Sequence, residues 1–326
     1  MAKKEKNEKL EKLLKKYETK YMAHKASDIV VEPKIRTGVY ALDYVLDGGI
    51  SQYKGGHIIE FYGGESSGKT TFCLHVIKKY QSLNKTCAYI NAESSYDPQW
   101  AEICGVDNDN LLVLHPESLE QAGEALIELI SQVDLIIIDS ISALVPEEEL
   151  AQGKTLSDKN MASQAKVNSP MCRKINKVRN DYKTTIIFIN QLREKVGVMY
   201  GNPEHTAGGR ALKHLYDTRI QFRAGKPMDV GSGDKKERIG MEINLFGKKN
   251  KKGTAFRKAV IDFYTNGQVD NKKSIFFAGV KYNVINLSGK TYTYKDVKAV
   301  GKDNMIKALT DKDWDNIEKD IFKINK

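Results

Sequence analysis

A glycine-rich segment at residues 63 to 71, GGESSGKTT, carries residue types that bind phosphate groups. It fits the pattern GxxxxGK followed by Ser or Thr, and it stands between an apolar run, IIEFY, and a helical stretch, TFCLHVIKKY, as this motif requires. In such a loop, backbone N–H groups turn toward phosphate oxygens at a helix N-terminus, where the helix dipole also favours anions. A glycine-rich turn without a ligand is the alternative, and the two correct flanks argue against it. The segment therefore predicts a site for ATP.

Each residue type in this loop suggests a separate role. Gly63, Gly64 and Gly68 allow the backbone to turn inward, Lys69 neutralises the β and γ phosphates, and Thr70 offers a hydroxyl to Mg²⁺. The residues predicted to contact the nucleotide here are Gly63, Gly64, Glu65, Ser66, Ser67, Gly68, Lys69, Thr70 and Thr71. The predicted cofactors are accordingly ATP and Mg²⁺.

Carboxylates that could complete this chemistry end two further apolar runs. VDLIIIDS presents Asp139 and Ser140 where a second Mg²⁺-orienting group is expected, with Thr70 and Asp139 as the predicted metal residues. TCAYINAES leads into Glu93, which could orient or deprotonate the water that attacks the γ-phosphate. A strand-ending Asp is also a common turn former, and a solvated carboxylate is an equally good interpretation of Glu93 on this pattern alone.

These side chains must be positioned by regular secondary structure. From residue 58 onward, short β-rich runs alternate with helical stretches. The runs are HIIEFYGG, TCAYINAES, LLVLHP, VDLIIIDS, TTIIFINQ and DTRIQFR, with helices from Lys69, over 119 to 131 and around 163 to 181. Such alternation predicts an α/β fold with a mostly parallel twisted sheet covered by helices on both faces. In that fold, ligands lie at the carboxyl edge of the strands.

The segments around this frame predict the domain organisation. Residues 1 to 25 hold nine Lys against four Glu and an apolar stripe at helical spacing, formed by Leu10, Leu13, Leu14, Tyr17 and Tyr21. Three interruptions, 146 to 160, 192 to 210 and 224 to 240, are typical of functional or disordered loops. We expect an N-terminal basic helix and linker at 1–35, an ATPase core at 36–270 and a small α+β C-terminal lobe at 271–326.

Composition narrows the class of protein. Lys plus Arg number 52 against 42 Asp plus Glu, a net charge of +10, which favours a polyanionic partner and equally fits a lysine-rich proteome. The four cysteines show no CxxC or zinc-like spacing, so we expect free thiols in a reducing cytoplasm. No apolar run of 18 residues, leader-like segment or HExxH spacing occurs, so neither a membrane span nor a dedicated metal site is expected.

Five segments in order resemble the bacterial RecA recombinases, in a version that we expect a bacteriophage to carry. They are GGESSGKTT, NAESSYDPQW, IIIDSISALVP, IIFINQLREKVGVMYGNPEHTAGGRALK and GKKNKKGTAF. The resemblance runs from about Thr37 to residue 310, and it is far more specific than the phosphate loop alone. It implies a P-loop NTPase core of the RecA type.

The resemblance implies roles around the nucleotide. Glu93 would activate the hydrolytic water, Asp97 and Trp100 would contact or stack on adenine, and Gln191 would sense the γ-phosphate and signal to the loop after it. Trp100 stands where the family usually has Tyr, and it keeps a flat face for stacking. The catalytic residues are thus expected to be Glu93, Lys69 and Gln191.

It also implies contacts with DNA and between subunits. Loops matching about 153 to 163 and 192 to 208 would hold single-stranded DNA, through Lys166, Arg173, Arg193, Lys195, Val196, Met199, Tyr200, Gly208 and Gly209. Lys249 and Lys251, in a KKNKK run that charge alone would assign to a solvated turn, would reach the neighbouring subunit's ATP. The N-terminal helix would pack on an adjacent core, although folding back on its own core is the commoner arrangement.

Some positions depart from the family pattern. GGRALKH places Arg210 where an uncharged amide is usual and His214 where an aromatic relays between subunits, which puts cooperativity between sites in doubt. The sequence closes with IFKINK and no acidic tail, so we expect less dependence of duplex invasion on Mg²⁺.

The resemblance implies an ATP-dependent homologous recombination protein. It would form filaments on single-stranded DNA, pair this strand with duplex DNA, exchange strands, and meet a single-strand-binding protein as a possible further partner. Two alternatives stay open at this point: a RecA-core DNA motor, either a helicase or a branch-migration ATPase, and an ATP-gated strand-coating or co-protease scaffold.

Overall fold

The computed structural model describes residues 2–21, 23–30, 32–150, 163–194 and 204–324. The chain forms two compact units, Met1–Pro33 and Lys34–Lys326. In the first unit, helix α1 spans Ala2–Tyr21 and a short 3₁₀ turn follows at Ala26–Asp28. Leu10 and Leu13 of the apolar stripe are exposed to 45% and 43%.

The second unit is built on a large sheet and a small one. Its strands are β1 His57–Gly63, β2 Cys87–Asn91, β3 Leu111–Leu114, β4 Leu135–Asp139, β5 Thr185–Glu194, β6 Glu204–Thr206, β7 Thr218–Val230, β8 Glu237–Asn250, β9 Lys258–Tyr264, β10 Val269–Asp270, β11 Asn286–Ser288, β12 Thr291–Tyr294 and β13 Val297–Val300. The large sheet has the order β10-β9-β8-β7-β1-β5-β4-β2-β3, with β6 paired to β5, and the small one has the order β11-β12-β13.

Helices cover the large sheet and close the unit. They are α2 Tyr40–Val45, α3 Lys69–Gln81, α4 Pro98–Ile103, α5 Leu119–Leu129, α6 Glu147–Leu150, α7 Ser163–Val178, α8 Gly209–Leu215, α9 Asn271–Lys281, α10 Lys302–Ala308 and α11 Asp311–Ile324. None of the described helices is long and apolar enough to cross a membrane. All four cysteines are free and buried.

Alternation along the central strands creates two apolar layers, one on each face of the sheet. Ile59 belongs to the layer that includes Phe72 of α3, while its neighbour Ile58 belongs to the layer that includes Ile175 of α7. Successive strand residues point to opposite faces, so a run of apolar residues fills both layers at once. This confirms the predicted arrangement of a sheet with helices on both faces.

The central strands are parallel: β1 pairs with β5 and β7, and β2 pairs with β3 and β4. Beyond β7 the sheet becomes antiparallel, through a long β7–β8 hairpin and then β9 and β10. The expectation of an interruption at 224–240 was wrong for most of that range, because residues up to Val230 and from Glu237 onward form this hairpin. Its charged residues lie on exposed strands, which hides the strand pattern in the sequence.

After residue 270 the chain forms α9, the three-stranded sheet, α10 and α11. Apolar residues of this part, including Phe276 and Trp314, belong to the same buried cluster as α3 of the main core. Helix α11 is also tied to the segment before α2, through an Arg36–Glu318 ion pair of 3.0 Å and the Arg36 guanidinium over the Phe322 ring.

Candidate nucleotide and DNA site

The glycine-rich loop joins β1 to α3, with Lys69 as the first residue of the helix. Gly68 adopts a left-handed conformation with φ of +84°. At Gly63, an added Cβ would lie 2.2 Å from the Phe222 carbonyl oxygen, so no larger residue fits there. The two glycines thus meet the tight turn and the close strand approach that this loop requires.

The Lys69 ammonium group lies within the loop. It donates to the carbonyl oxygen of Gly64 at 2.7 Å, and that of Gly63 and the Ser67 hydroxyl are each 3.4 Å away. These acceptors are neutral, so a phosphate oxygen would form a stronger, charge-assisted bond. Burial lowers the pKa of Lys69 below its usual 10.5, and the carboxylates of Asp139 and Glu93 oppose that shift. The loop therefore fits a polyphosphate.

Asp139 ends β4 beside the start of α3. Its Oδ2 accepts hydrogen bonds from the Thr70 hydroxyl and the Tyr89 hydroxyl, each at 2.7 Å. Burial raises the pKa of the Asp139 carboxyl, and these two hydrogen bonds oppose the rise. A hydroxyl and a carboxylate held together are suitable oxygen ligands for Mg²⁺, directly or through water. The predicted pair of metal residues, Thr70 and Asp139, is thus in contact.

Glu93 and Gln191 meet at the carboxyl edge of the sheet. The Glu93 Oε1 atom accepts hydrogen bonds from the Ser140 hydroxyl at 2.6 Å and from Gln191 Nε2 at 2.8 Å. Gln191 is also paired with Gly63 in the β1–β5 register. One carboxylate therefore connects the residue after β4 with the strand that leads to the candidate DNA loop, and that strand is paired with the start of the phosphate loop.

The candidate adenine residues lie on and beside α4. Asp97 is the N-cap of this helix and accepts from the backbone N–H groups of Gln99 and Trp100. The Trp100 indole donates to the Thr71 hydroxyl at 3.2 Å, which holds the ring against the phosphate-loop helix. His75 Nε2 lies 2.9 Å from the Gly267 carbonyl oxygen and links the same helix to the β9–β10 turn. Trp100 and Asp97 thus lie beside the helix that follows the phosphate loop.

Strand β5 extends past Gln191 into a hairpin with β6. Leu192 pairs with Thr206 and Glu194 pairs with Glu204, in antiparallel register. Helix α8 then begins after Gly208, whose φ is +88°. Gln191, the candidate phosphate-sensing residue, is thus the last residue of β5 paired with β1, directly before the hairpin stem.

The candidate DNA residues fall into two groups. Arg173 is exposed on α7, Lys166 is 65% exposed and 3.7 Å from Glu148, Gly208 is the N-cap of α8, and Gly209 is its first residue. Arg193 lies in the described backbone of β5. The positions Lys195, Val196, Met199 and Tyr200, and nearly all of the loop at 153 to 163, lie outside the described residues.

Lys249 and Lys251 are not brought to the phosphate loop of their own chain. Lys249 Nζ donates to the Lys213 carbonyl oxygen at 2.8 Å, and Lys251 Nζ lies 3.3 Å from that of His214, both in the last turn of α8. The end of β8 lies beside the first residues of β7, toward the edge of the sheet opposite the phosphate loop. Cations near the C-terminal carbonyls of a helix are electrostatically favoured.

Sequence reasoning missed some contributors to the site. Tyr89 was not singled out, although a Tyr inside a central buried strand generally needs a partner for its hydroxyl. The His75–Gly267 contact depends on a turn nearly 200 residues away in the chain, so no local pattern could indicate it. A polar set around Glu60 was missed for the same reason.

Comparisons with known proteins agree with this geometry. The family model for the RecA N-terminal domain matches residues 4–269. Protein RecA of Clostridium acetobutylicum is 40% identical over 280 residues, covering 85% of this chain and 78% of that protein. Protein RecA of Mesoplasma florum is 36% identical over 326 residues, covering 98% of this chain and 96% of that protein.

A solved structure shares the fold. The crystal structure of the RadB recombinase superposes with a TM-score of 0.52 at 15% identity, covering 72% of this chain and 98% of that one. With a family model over most of the chain and relatives near 40% identity, this chain belongs to the bacterial RecA family of ATP-dependent recombinases.

Proposed function

We propose that this recombinase binds ATP with Mg²⁺ at the phosphate loop, assembles into a filament on single-stranded DNA, and exchanges that strand with a homologous duplex. The Glu93 carboxylate carries the proposal, because it accepts from both Ser140 and Gln191 between the nucleotide loop and the candidate DNA hairpin. A γ-phosphate arriving at this point competes directly for the same donors. Nucleotide state is thereby linked to the hairpin.

The protein groups have distinct roles in hydrolysis under this proposal. Lys69 exchanges its neutral carbonyl partners for phosphate oxygens, and Thr70 and Asp139 offer oxygen ligands on the opposite side. Mg²⁺, held by Thr70 and Asp139, would supply charge neutralisation at the phosphates. Glu93 accepts hydrogen bonds from the attacking water and orients it, and Asp97 and Trp100 hold the adenine. Catalysis is then positioning and electrostatic stabilisation.

Gln191 transmits nucleotide state in this scheme. While Glu93 accepts the Gln191 amide, the strand is held at the carboxylate. When the amide instead donates to the γ-phosphate, β5 shifts at the base of the hairpin. The residues that then bind the single-stranded DNA are Arg193, Lys195, Val196, Met199, Tyr200, Gly208 and Gly209. Lys166 and Arg173 add positive charge on α7. A ligand shifts such an equilibrium only by its differential affinity for the two arrangements.

Filament assembly follows from two surfaces. Lys249 and Lys251 reach the ATP of the next subunit, so that the nucleotide strengthens the joint between protomers. The exposed Leu10 and Leu13 side chains of α1 support packing of the 1–35 segment on an adjacent 36–270 core. A repeated contact between unlike surfaces extends indefinitely, as a filament does. We assign the 271–326 segment to a lobe beside this core.

Further partners and location complete the proposal. A single-strand-binding protein shares the same DNA substrate and is the expected competitor or helper. Four free, buried thiols are consistent with the reducing cytoplasm of a bacterial or phage-infected cell.

Three measurements on one preparation separate this function from its competitors. ATP hydrolysis should rise with single-stranded DNA, strand exchange between homologous DNAs should require ATP, and electron microscopy should show helical filaments. Rings with unwinding of a forked duplex would indicate a motor instead. Filaments with no strand exchange would indicate a strand-coating scaffold.

A further inference from the structure

A buried polar set lies on the opposite face of the sheet from Gln191. Glu60 of β1 has 0% exposure, and its two carboxylate oxygens have different partners. Oε1 accepts from Asn190 Nδ2 at 3.0 Å, and Oε2 accepts from Arg219 Nε of β7. Asn190 is the residue directly before Gln191 in β5, and adjacent strand residues point to opposite faces. The strand thus carries the candidate sensor on one face and this set on the other.

Three consecutive residues of the chain returning from the hairpin are held by donors from the core. Arg219 Nη2 donates to the Thr206 hydroxyl at 3.2 Å, and Asn190 Nδ2 donates to the Ala207 carbonyl oxygen at 3.1 Å. Asn168 Nδ2 of α7 approaches the Gly208 carbonyl oxygen at 3.4 Å. We call Glu60, Asn168, Asn190 and Arg219 the stem clamp. It holds residues 206 to 208, the segment that contains the first of the two candidate DNA-binding glycines, Gly208 and Gly209.

Stability alone is a poor explanation of this clamp. A fully buried carboxylate is costly to desolvate, and apolar side chains of similar volume often replace buried ion pairs without loss. Among the described residues, the Asn168 Oδ1 atom is moreover buried without a hydrogen-bond partner, and the Asn190 side chain lies beside the buried Tyr216 hydroxyl. Buried polar atoms in native proteins are nearly always satisfied. The spare acceptor of Asn168, whose Nδ2 atom approaches the Gly208 carbonyl oxygen, is suited to a second arrangement of the returning chain.

We propose that the stem clamp consists of positioning residues through which a change in the hydrogen bonding of Gln191 alters the affinity for DNA. The inference rests on the proposed function, in which Gln191 senses the γ-phosphate. Asn190 is covalently linked to Gln191 and bonded to Ala207, so any shift of β5 at the sensor moves the returning chain through the same residue. Glu60 anchors Asn190 to β1, three residues before the phosphate loop begins, and Arg219 anchors Thr206 to the same carboxylate.

Asn190→Ala is the decisive variant, because it removes both donated bonds and leaves the Glu60–Arg219 ion pair in place. Thr184→Val is the matched control. Thr184 is also buried and directly precedes β5, at the end of the strand far from the hairpin, and its hydroxyl donates to the carbonyl oxygens of Ile130 and Val133. The readout is the coupling ratio, the Kd for single-stranded DNA with ADP divided by that with a non-hydrolysable ATP analogue. Hydrolysis without DNA, nucleotide affinity and Tm are measured alongside.

We expect Asn190→Ala to reduce the coupling ratio by about tenfold, the size of a typical coupling between sites, while hydrolysis without DNA and nucleotide affinity stay unchanged. Thr184→Val should lower Tm to a similar extent and keep the coupling ratio. Should both variants lose the same fraction of all activities, or Asn190→Ala keep its coupling, the clamp is merely structural and the inference is overturned.

Two further variants keep the result decisive. If Asn190→Ala does not fold, the variant Thr206→Val tests the inference instead. This substitution is nearly isosteric and removes only the acceptor of Arg219 Nη2. An unchanged coupling ratio in Thr206→Val would overturn the inference. The variant Gln191→Ala distinguishes a failure of the clamp from a failure of the proposed function. Loss of coupling in Gln191→Ala but not in the clamp variants refutes the clamp alone, whereas retained coupling in Gln191→Ala refutes the proposed function itself.

Discussion

The side chain of Gln191 donates a 2.8 Å hydrogen bond to the Glu93 Oε1 atom, which also accepts from the Ser140 hydroxyl. The candidate catalytic base and the candidate γ-phosphate sensor are therefore direct partners. Under the proposed function, hydrolysis and signalling would therefore share one oxygen atom. Gln191, which donates to that oxygen, is followed at once by the β5–β6 stem, the candidate DNA hairpin.

Glu93→Gln separates chemistry from signalling. A glutamine Oε1 still accepts from Ser140 and Gln191, but an amide cannot accept a proton from water. We expect the ATP hydrolysis rate to fall by at least about 100-fold, with the nucleotide Kd and ATP-dependent DNA binding retained. Ser140→Ala is the control, because it removes one donor to Glu93 and leaves the carboxylate. A Glu93→Gln variant that hydrolyses ATP at the parent rate would remove Glu93 from the mechanism.

Tyr89→Phe should shift the pH dependence of hydrolysis. The Tyr89 hydroxyl donates to Asp139 and so lowers the pKa of a carboxyl that burial has raised. Without that bond the pKa rises further, so protonation begins at a higher pH and the acid limb of the pH–rate profile moves upward. Tyr96→Phe is the matched control, since the Tyr96 ring packs against that of Tyr89 at a tilt of 58° but its hydroxyl donates to Asn108. An acid limb that stays in place, or moves equally in both variants, contradicts the assignment.

Mixing two inactive variants tests whether Lys249 and Lys251 act on a neighbour. Lys69→Ala and the double variant Lys249→Ala/Lys251→Ala should each lack DNA-dependent hydrolysis. If each site combines Lys69 of one protomer with the lysines of the next, an equimolar random filament restores about a quarter of the sites. Activity that stays absent at every mixing ratio would indicate that all three lysines serve one protomer.

Asp43→Asn should remove a pH dependence of stability. Burial raises the pKa of Asp43 to about 7, although hydrogen bonds from the Thr37 N–H and hydroxyl oppose the rise. Folding therefore favours the protonated carboxyl, and this contribution, complete below the unfolded value near 3.8, is lost as the pH rises through about 7. Asparagine mimics the protonated form and keeps the Oδ1 acceptor.

Urea unfolding at pH 5 and pH 8 measures this effect. The variant should be more stable than the parent at pH 8, on the order of 2 kcal/mol, with a smaller difference at pH 5. Thr37→Val, which removes one donor to the same oxygen, is the companion variant. A uniform loss of stability in Asp43→Asn at both pH values would show that the carboxylate is charged and stabilising.

The sequence was sufficient to predict the parts of the candidate site whose residues are close together in the chain. GGESSGKTT holds every group of the phosphate loop within nine residues, and Asp139 follows an apolar run whose strand direction determines its position. The β7–β8 hairpin was not recognised beyond residue 223, because the exposed part of this hairpin carries charged residues and lacks apolar alternation. The link from Glu60 to Thr206 depends on the register of four strands, which no local pattern encodes.

The affinity of Lys69→Ala for single-stranded DNA shows whether occupancy of the phosphate loop controls DNA binding. The Kd for a single-stranded oligonucleotide is measured with a non-hydrolysable ATP analogue, with ADP and without nucleotide, for the parent, for Lys69→Ala and for Lys78→Ala, an exposed lysine in the last turn of the same helix. The account predicts that the parent and Lys78→Ala bind about tenfold or more tightly with the ATP analogue than with ADP, and that Lys69→Ala shows no such difference. An equal gain in affinity for Lys69→Ala would contradict it.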